Sequence, residues 1–229
     1  MNEIIRKRKS VRKYDMTELD TATLEKVRKQ IESVVPLYPD IRYSIEITNK
    51  IKTSITGVRA PHFLLFFTEE KEGAYENIGF IGQQIGLFLL EAGLSSCWLG
   101  VAKPKDTSLP YVIAMAFGKP DEPLHRDISE FKRKPLAEIS EGSDNRLEAA
   151  RLAPNAVNAQ NWYFIADSGK IHCYRKKPNP LLGFILNNMS YIDMGIALWH
   201  IATESSDFRF AKETNAPARK DCIYMGTVG

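Results

Sequence analysis

The sequence predicts an α+β fold built as two similar halves, each a small sheet with a long helix. Two observations carry that expectation. Helical and strand periodicities are interspersed along the whole 229-residue chain, and four segments of the first half return in the same order in the second. "QIGLFLLEA" (84–92) lies over "GIALWHIAT" (195–203) at an offset of 195 − 84 = 111, and the same offset lays "YVIAMAFG" (111–118) over "CIYMGTVG" (222–229). Nearer the front of each half, "LEKVR" (24–28) matches "LEAAR" (147–151) and "RYSIEI" (42–47) matches "WYFIAD" (162–167). One amphipathic helix resembles another by chance; four segments in one order, two of them joined by an ungapped offset, point to a duplication.

The elements follow in order. Residues 2–13 read as a basic helix start. "TELDTATLEKVRKQIESV" (17–34) sets Leu24, Val27, Ile31 and Val34 at helical spacing, with Thr17 or Asp20 as N-cap and Pro36 and Pro39 ending the helix. "IRYSIEI" (41–47) and "HFLLFFT" (62–68) are rich in β-formers and read as strands. "IGFIGQQIGLFLLEAGL" (78–94) is the most apolar segment; two Gln and a Glu in so short a stretch favour a buried helix over a membrane span. "SSCWLGV" leaves that helix, and "YVIAMAFG" is a strand. Residues 119–144, polar and containing prolines, read as a linker, so the halves are expected at 1–140 and 141–229. A helix (145–152), two strands (162–167 and 170–175), a helix from Tyr191 and a last strand (222–229) complete the chain.

Composition narrows the partners. Hydrophobic residues at 44% and charged ones at 26% are ordinary for a globular chain. A net charge of 31 − 28 = +3 is too weak to imply nucleic acid, although the basic residues cluster in "RKRKSVRK". Cys97, Cys173 and Cys222 form no CxxC, which argues against a disulfide framework or a zinc site and fits a reducing cytoplasm. Charges begin at Glu3 with no apolar leader behind them, so neither export nor a membrane partner is expected. His62, His125, His172 and His200 lack metal-ligand spacing, and His200 reads as a satisfied core histidine. Gly79, Gly82 and Gly86 do not make GxGxxG; Gly82 and Gly86 read as small residues that let one central helix approach Gly195 and Ala197 of the other.

Three segments carry chemistry. In "RKSVRKY" (8–14), Arg8, Ser10 and Arg12 alternate, and guanidinium forks with a hydroxyl between them suit a phosphate. A basic run of this kind also reads as a solvated tail. In "GLSSCWLG" (93–100), Gly93 suits a helix C′ position, while Cys97 and Trp98 read as core. In "LAPNAVNAQNWYF" (152–164), Pro154 ends the preceding helix, Ala153, Ala156 and Ala159 keep the backbone approachable, and Asn155, Asn158 and Gln160 supply donors and acceptors. The alternative for that loop is an amide-rich turn that satisfies its own backbone.

Together these segments resemble the nitroreductase-like flavoproteins, and in particular the fused branch called putative TM nitroreductases. The resemblance rests on Arg8-x-Ser10-x-Arg12-x-Tyr14, on Gly93-Leu94 with Trp98 and Gly100, on Arg133-Lys134-Pro135, and on Ala153-Pro154-Asn155 with Asn158, Gln160, Asn161 and Trp162. It departs from the family in order. The Ala-Pro loop of ordinary members follows soon after the basic segment; here it comes in the second half, and Asn155 and Asn161 replace a serine and a proline.

The resemblance implies an antiparallel-rich mixed sheet flanked by helices and repeated as an intramolecular pseudo-dimer, one FMN between the halves, and activity as a monomer. It also implies NAD(P)H as reductant and a small acceptor such as a nitroaromatic or quinone. Arg8, Ser10, Arg12 and Arg133 would hold phosphate and ribityl; Asn155, Asn158 and nearby backbone would meet the ring; backbone at Gly100 would lie by the flavin N5. Lys9, Leu99, Pro154 and Ala156 complete the expected cofactor contacts, with no catalytic acid or base and no metal. The competing readings are a non-catalytic carrier or sensor, with or without flavin, and a polyanion binder built on the basic run.

Overall fold

The computed structural model of the chain describes residues 2–51, 57–100, 109–177 and 183–229. In chain order the helices are α1 (Glu3–Lys7), α2 (Thr21–Ser33), α3 (Ala74–Glu91), α4 (Leu136–Ile139), α5 (Arg146–Arg151) and α6 (Gly183–Ala202). The strands are β1 (Tyr43–Thr48), β2 (His62–Thr68), β3 (Ser95–Leu99), β4 (Tyr111–Gly118), β5 (Ser140–Glu141), β6 (Trp162–Asp167), β7 (Lys170–Lys176), β8 (Phe210–Ala211) and β9 (Cys222–Val228). They form two sheets, of order β1-β2-β4-β3 and β5-β6-β7-β9-β8. Apart from the short β5, which pairs parallel with β6, every pairing is antiparallel. Without β5, the second sheet repeats the strand order of the first, and each sheet sends one long helix between its second and third strands in sequence.

Those helices, α3 and α6, pack together at the centre. The approach is set by Gly79 and Gly195: a Cβ on Gly79 would lie 2.0 Å from the Ile192 carbonyl oxygen, and one on Gly195 would lie 1.9 Å from that of Glu76. The expectation named Gly82 and Gly86 instead. Gly82 lies under the Trp98 ring, where a Cβ would come within 2.3 Å, and Gly86 has ordinary contacts from 3.6 Å outward. Ala197 is fully buried on α6. One core joins both halves, with Phe66, Ile81 and Met115 in the same cluster as Phe164, Ile196 and Val228.

Sequence pattern explains most elements. Asp20 is the N-cap of α2, its carboxylate accepting from the Thr23 N–H at 2.7 Å. The strand β2 is buried at every position, one face on the central helices and the other under Tyr14 and Val58, hence its unbroken apolar run. The polar residues of α3 have local work: Gln84 brackets the Val35 backbone and Asn77 accepts from the Tyr38 N–H. Leu94 N–H to Leu89 O (2.8 Å) and Gly93 N–H to Leu90 O (3.1 Å), with Gly93 at φ +76°, close α3 in a Schellman motif. No helix among the described residues is long and apolar enough to cross a membrane.

Several expectations are corrected. Only residues 3–7 of the basic N-terminus are helical; residues 8–14 run extended, with Arg8 bridging His125 and Tyr14 bridging Pro120. "SSCWL" is a strand, while Val101 lies outside the described residues. Residues 119–144 are not a slack linker. They lie along the N-terminal segment through Arg126 N–H to Lys7 O, Asp121 N–H to Lys13 O and Asp15 N–H to Lys119 O, and they carry a capping box at Asp127. The short strands β5 and β8 have no pattern of their own in the sequence.

Candidate functional site

A cleft of about 370 Å³ opens where the two halves meet. The extended N-terminal segment brings Ser10 and Arg12 to it, the end of β3 brings Leu99 and Gly100, and the loop after α5 brings Pro154, Asn155 and Ala156. Residues more than 140 positions apart thus share one site. Trp98, Val157 and Asp193 line it as well, none of them a candidate from sequence, and Met189 reaches across so closely that a Cβ on Gly100 would lie 2.3 Å from its methyl.

The other four candidates lie off the cleft lining. Lys9 points away, its ammonium 3.1 Å from the Glu122 carboxylate and bonded to the Pro123 carbonyl. Asn158 is fully engaged: its Oδ1 accepts from Arg133 and its Nδ2 donates to Lys132 O at 2.8 Å. Asn155, though on the lining, spends its Oδ1 on the Gln160 N–H at 2.9 Å and its Nδ2 on Ala153 O at 3.2 Å. The Gln160 side-chain Oε1 in turn accepts from the Lys134 N–H at 2.7 Å. The amides therefore knit the loop to residues 132–134, as the self-satisfying alternative has it, and the loop meets the cleft with its backbone and small side chains.

That loop is strained. Val157, Asn158 and Gln160 have φ of +46°, +57° and +51°. For β-branched Val157 this is an outlier region, and its side chain is 79% exposed at the cleft. Part of what holds the geometry is Asp193 on α6, whose Oδ1 accepts from the Ala156 N–H at 2.9 Å. Asp193 is almost wholly buried, and burial pushes its carboxyl up to about 8 against the opposing pull of that N–H and of Arg133.

Arg8 and Arg133 lie behind the cleft lining. Arg8 is buried, with Nη1 3.2 Å from Ser10 Oγ and with Nε unpartnered. Burial is the main influence lowering its pKa well below the ordinary value; Arg126, Arg133 and Arg12 add to it by repulsion, Cys97 opposes them, and among the described residues no carboxylate does. Arg133 donates to Ala153 O at 3.1 Å, also has an unpartnered buried Nε, and is pushed down to about 10, by burial first and then by Arg126. Arg126 donates from Nε to Arg8 O at 2.8 Å and stacks 3.7 Å from the Phe131 ring centroid. Unspent donors on gathered guanidiniums are the kind of group an anion pairs with. Arg126 was invisible in the sequence because its place beside Arg8 depends on the pairing of residues 119–126 with the N-terminus. Asp193 left a signal: a lone carboxylate in the apolar run "YIDMGIALW".

A chain of side chains behind the cleft joins the halves. Trp98 Nε1 donates to Gln83 Oε1 (3.4 Å), Gln83 Nε2 donates to His200 Nε2 (3.0 Å), and His200 Nδ1 donates to Ala149 O (2.8 Å). Both ring nitrogens are used, and burial pushes His200 down to about 3, as befits a neutral core histidine.

Two sheets of matching strand order on paired central helices, with a cleft between the halves backed by buried arginines, define the nitroreductase-like α+β class. A solved structure from Thermotoga maritima described as a "putative nitroreductase" matches 99% of this chain and 90% of its own at 22% identity, with a TM-score of 0.66. The chain belongs to the family described as "Putative TM nitroreductase", whose model matches residues 1–205. A nitroreductase family protein from Clostridium difficile matches 60% of this chain and 96% of its own at 18% identity (TM-score 0.49). An FMN-dependent nitroreductase from the same species matches 58% and 95% at 17% identity (TM-score 0.46). No curated protein matches the sequence.

Proposed function

We propose that the chain is an FMN-dependent NAD(P)H oxidoreductase of nitroreductase type, acting on a nitroaromatic, quinone or similar acceptor in the cytoplasm. In this reading residues 1–140 and 141–229 are two halves of an intramolecular pseudo-dimer that build one flavin site between them. The observation that carries it is the cluster of Arg8, Arg126 and Arg133, with unspent Nε donors on Arg8 and Arg133, behind a cleft lined from both halves. A phosphate there would relieve the repulsion on Arg8, which Glu130 beside Arg126 and Asp193 beside Arg133 leave in place.

The rest of the cleft suits a flat ring. Trp98, Leu99 and Ile192 give apolar walls, Gly100 and Ala156 keep backbone close, and the volume lies within the range of small-molecule sites. Bound FMN would supply the hydride chemistry, accepting from NAD(P)H and passing on to the acceptor. The chain's residues hold and shield it. Arg8 and Arg12 would meet the phosphate with Ser10 between them, and Asp193 fixes the Ala156 backbone at the ring end. Met189, flexible and apolar, would close the mouth over Gly100. Arg126, absent from the sequence reading, would join Arg8 and Arg133 at the phosphate end.

The test is one spectrum. The purified protein, supplied with FMN and desalted, should be yellow with about one FMN per chain and should bleach on anaerobic addition of NADH or NADPH. Colour without bleaching would favour the carrier reading, and no retained colour at micromolar FMN would remove flavin from the account.

A further inference from the structure

We propose that the pocket bounded by Tyr38, Glu76, Tyr191 and Tyr224 is a second binding site, for a small aromatic ammonium compound. It holds about 480 Å³ between the halves, apart from the cleft. The internal repeat accounts for its position. The 111-residue offset carries Gly100 onto Ala211 and Ile113 onto Tyr224, and the loop after α5 with Pro154 corresponds to the loop after α2 with Pro36. Strand order agrees, β8 standing where β3 stands and β9 where β4 stands. Ala211, Tyr224 and Tyr38, one from each of these places, line the pocket. It is the counterpart of the cleft, and it has changed character.

The phosphate end is gone, since no Arg-x-Ser-x-Arg precedes α5. Where the cleft is lined by Ile113 and the small residues of the loop after α5, this pocket has tyrosines: Tyr224 stands at the position of Ile113, Tyr38 comes from the loop after α2, and Tyr75 and Tyr191 add two more. Its lining holds a buried carboxyl and, among the described residues, no arginine. Glu76 is only 5% exposed and lines the pocket, and among the described residues no side chain pairs with it.

Its own backbone N–H, in the first turn of α3, is the one hydrogen-bond influence on it, and burial pushes the carboxyl up to about 7. Lys212 and Arg175 favour its charged form from a distance, but neither bonds it. Lys212 donates to Tyr224 O at 3.1 Å, and Lys71 is paired with Asp40. Arg175 is shared among Asn187 (2.8 Å), Ser190 (3.1 Å) and the Tyr191 hydroxyl (2.9 Å). A buried acid without a partner is costly until a donor arrives. A ligand ammonium would donate N–H to Glu76, and its ring would pack among tyrosines, which also favour cations.

The experiment is calorimetric titration of the apo protein at pH 8 with benzylamine, benzyl alcohol and benzoate, repeated with saturating FMN. Benzylamine should bind about tenfold or more tighter than benzyl alcohol, benzoate should not bind, and FMN should leave the amine isotherm unchanged. Glu76→Gln should erase the preference for the amine while FMN uptake persists. Should that variant not fold, Ala211→Phe, which fills the pocket from an exposed strand position, should abolish amine binding. Equal binding of the three probes, no amine binding at roughly 10 mM, or displacement of the amine by FMN would overturn the proposal. Because the amine arm needs no flavin, it stands or falls apart from the flavin reading.

Discussion

Asp193 holds the Ala156 backbone N–H at 2.9 Å, so a carboxyl buried in the central helix of the second half pins the strained loop that lines the cleft. With its pKa raised to about 8, the folded chain keeps a proton that the unfolded chain releases near the ordinary carboxylate value of about 3.9. Between those values the folded state binds more protons, and stability falls as pH rises. Asp193→Asn keeps an oxygen for Ala156 and removes the titration. The stability advantage of the apo variant over wild type should grow by on the order of a few kcal/mol between pH 5 and pH 8.5. Glu76, raised to about 7, adds a slope of the same sign that the variant retains. Equal destabilisation at both pH values would show that the carboxylate is ionised in the fold.

Arg8 should trade stability for binding. Its buried guanidinium is surrounded by like charge, with no carboxylate counter-ion among the described residues, so Arg8→Met should leave the apo protein at least as stable as wild type. Losing a charge-assisted phosphate contact of roughly 1.5 to 3 kcal/mol should weaken FMN by about ten- to a hundredfold. Lys9→Ala, whose partner is Glu122, should change FMN affinity little. Fluorescence titration of FMN beside a thermal melt reads both effects, and equal loss of affinity in the two variants would mean a diffuse basic patch.

What the sequence showed and what it hid divide along physical lines. The strands β2, β4 and β6 carry local apolar patterning and lie where "HFLLFFT", "YVIAMAFG" and "WYFIAD" place them. The repeat was legible because α3 and α6 keep similar apolar sequence, and β4 and β9 follow them at the same spacing. Polar chemistry was harder to place. Asn155 and Asn158 have the residue types of a ligand site, yet both serve the loop itself, since a backbone at positive φ needs local acceptors and donors. Arg126 depends on a pairing more than 110 residues apart that no local pattern encodes.

Glycine positions on the central helices give a packing test. Gly195→Ala would place a methyl 1.9 Å from the Glu76 carbonyl oxygen, a backbone atom that cannot swing aside. The helices would have to part, at a cost at or above the usual 1 to 3 kcal/mol or so of overpacking. At about 2 to 4 °C for each kcal/mol, the melting temperature should drop several degrees. Gly86→Ala, whose nearest neighbours stand at 3.6 Å, should be neutral or slightly stabilising because alanine favours helix. Similar melting of the two variants would argue against a close α3–α6 crossing.

The last prediction concerns the size of the working unit. Ser10 and Arg12 at one end of the cleft and Pro154 to Val157 at the other come from one polypeptide, and α3 packs on α6 within it. If the flavin reading holds, dilution should not strip the cofactor by separating subunits, because both sides of the site are covalently joined. Sedimentation of the flavin-loaded protein from high to low micromolar concentration, followed at a flavin wavelength, should show the colour moving with a species near the 25.9 kDa chain mass throughout. Gly195→Ala, by parting the helices, should weaken flavin retention in that same species without touching a cleft-lining residue. Colour confined to a species of twice the chain mass, and lost on dilution, would mean that the loop at 154–157 serves a neighbouring chain.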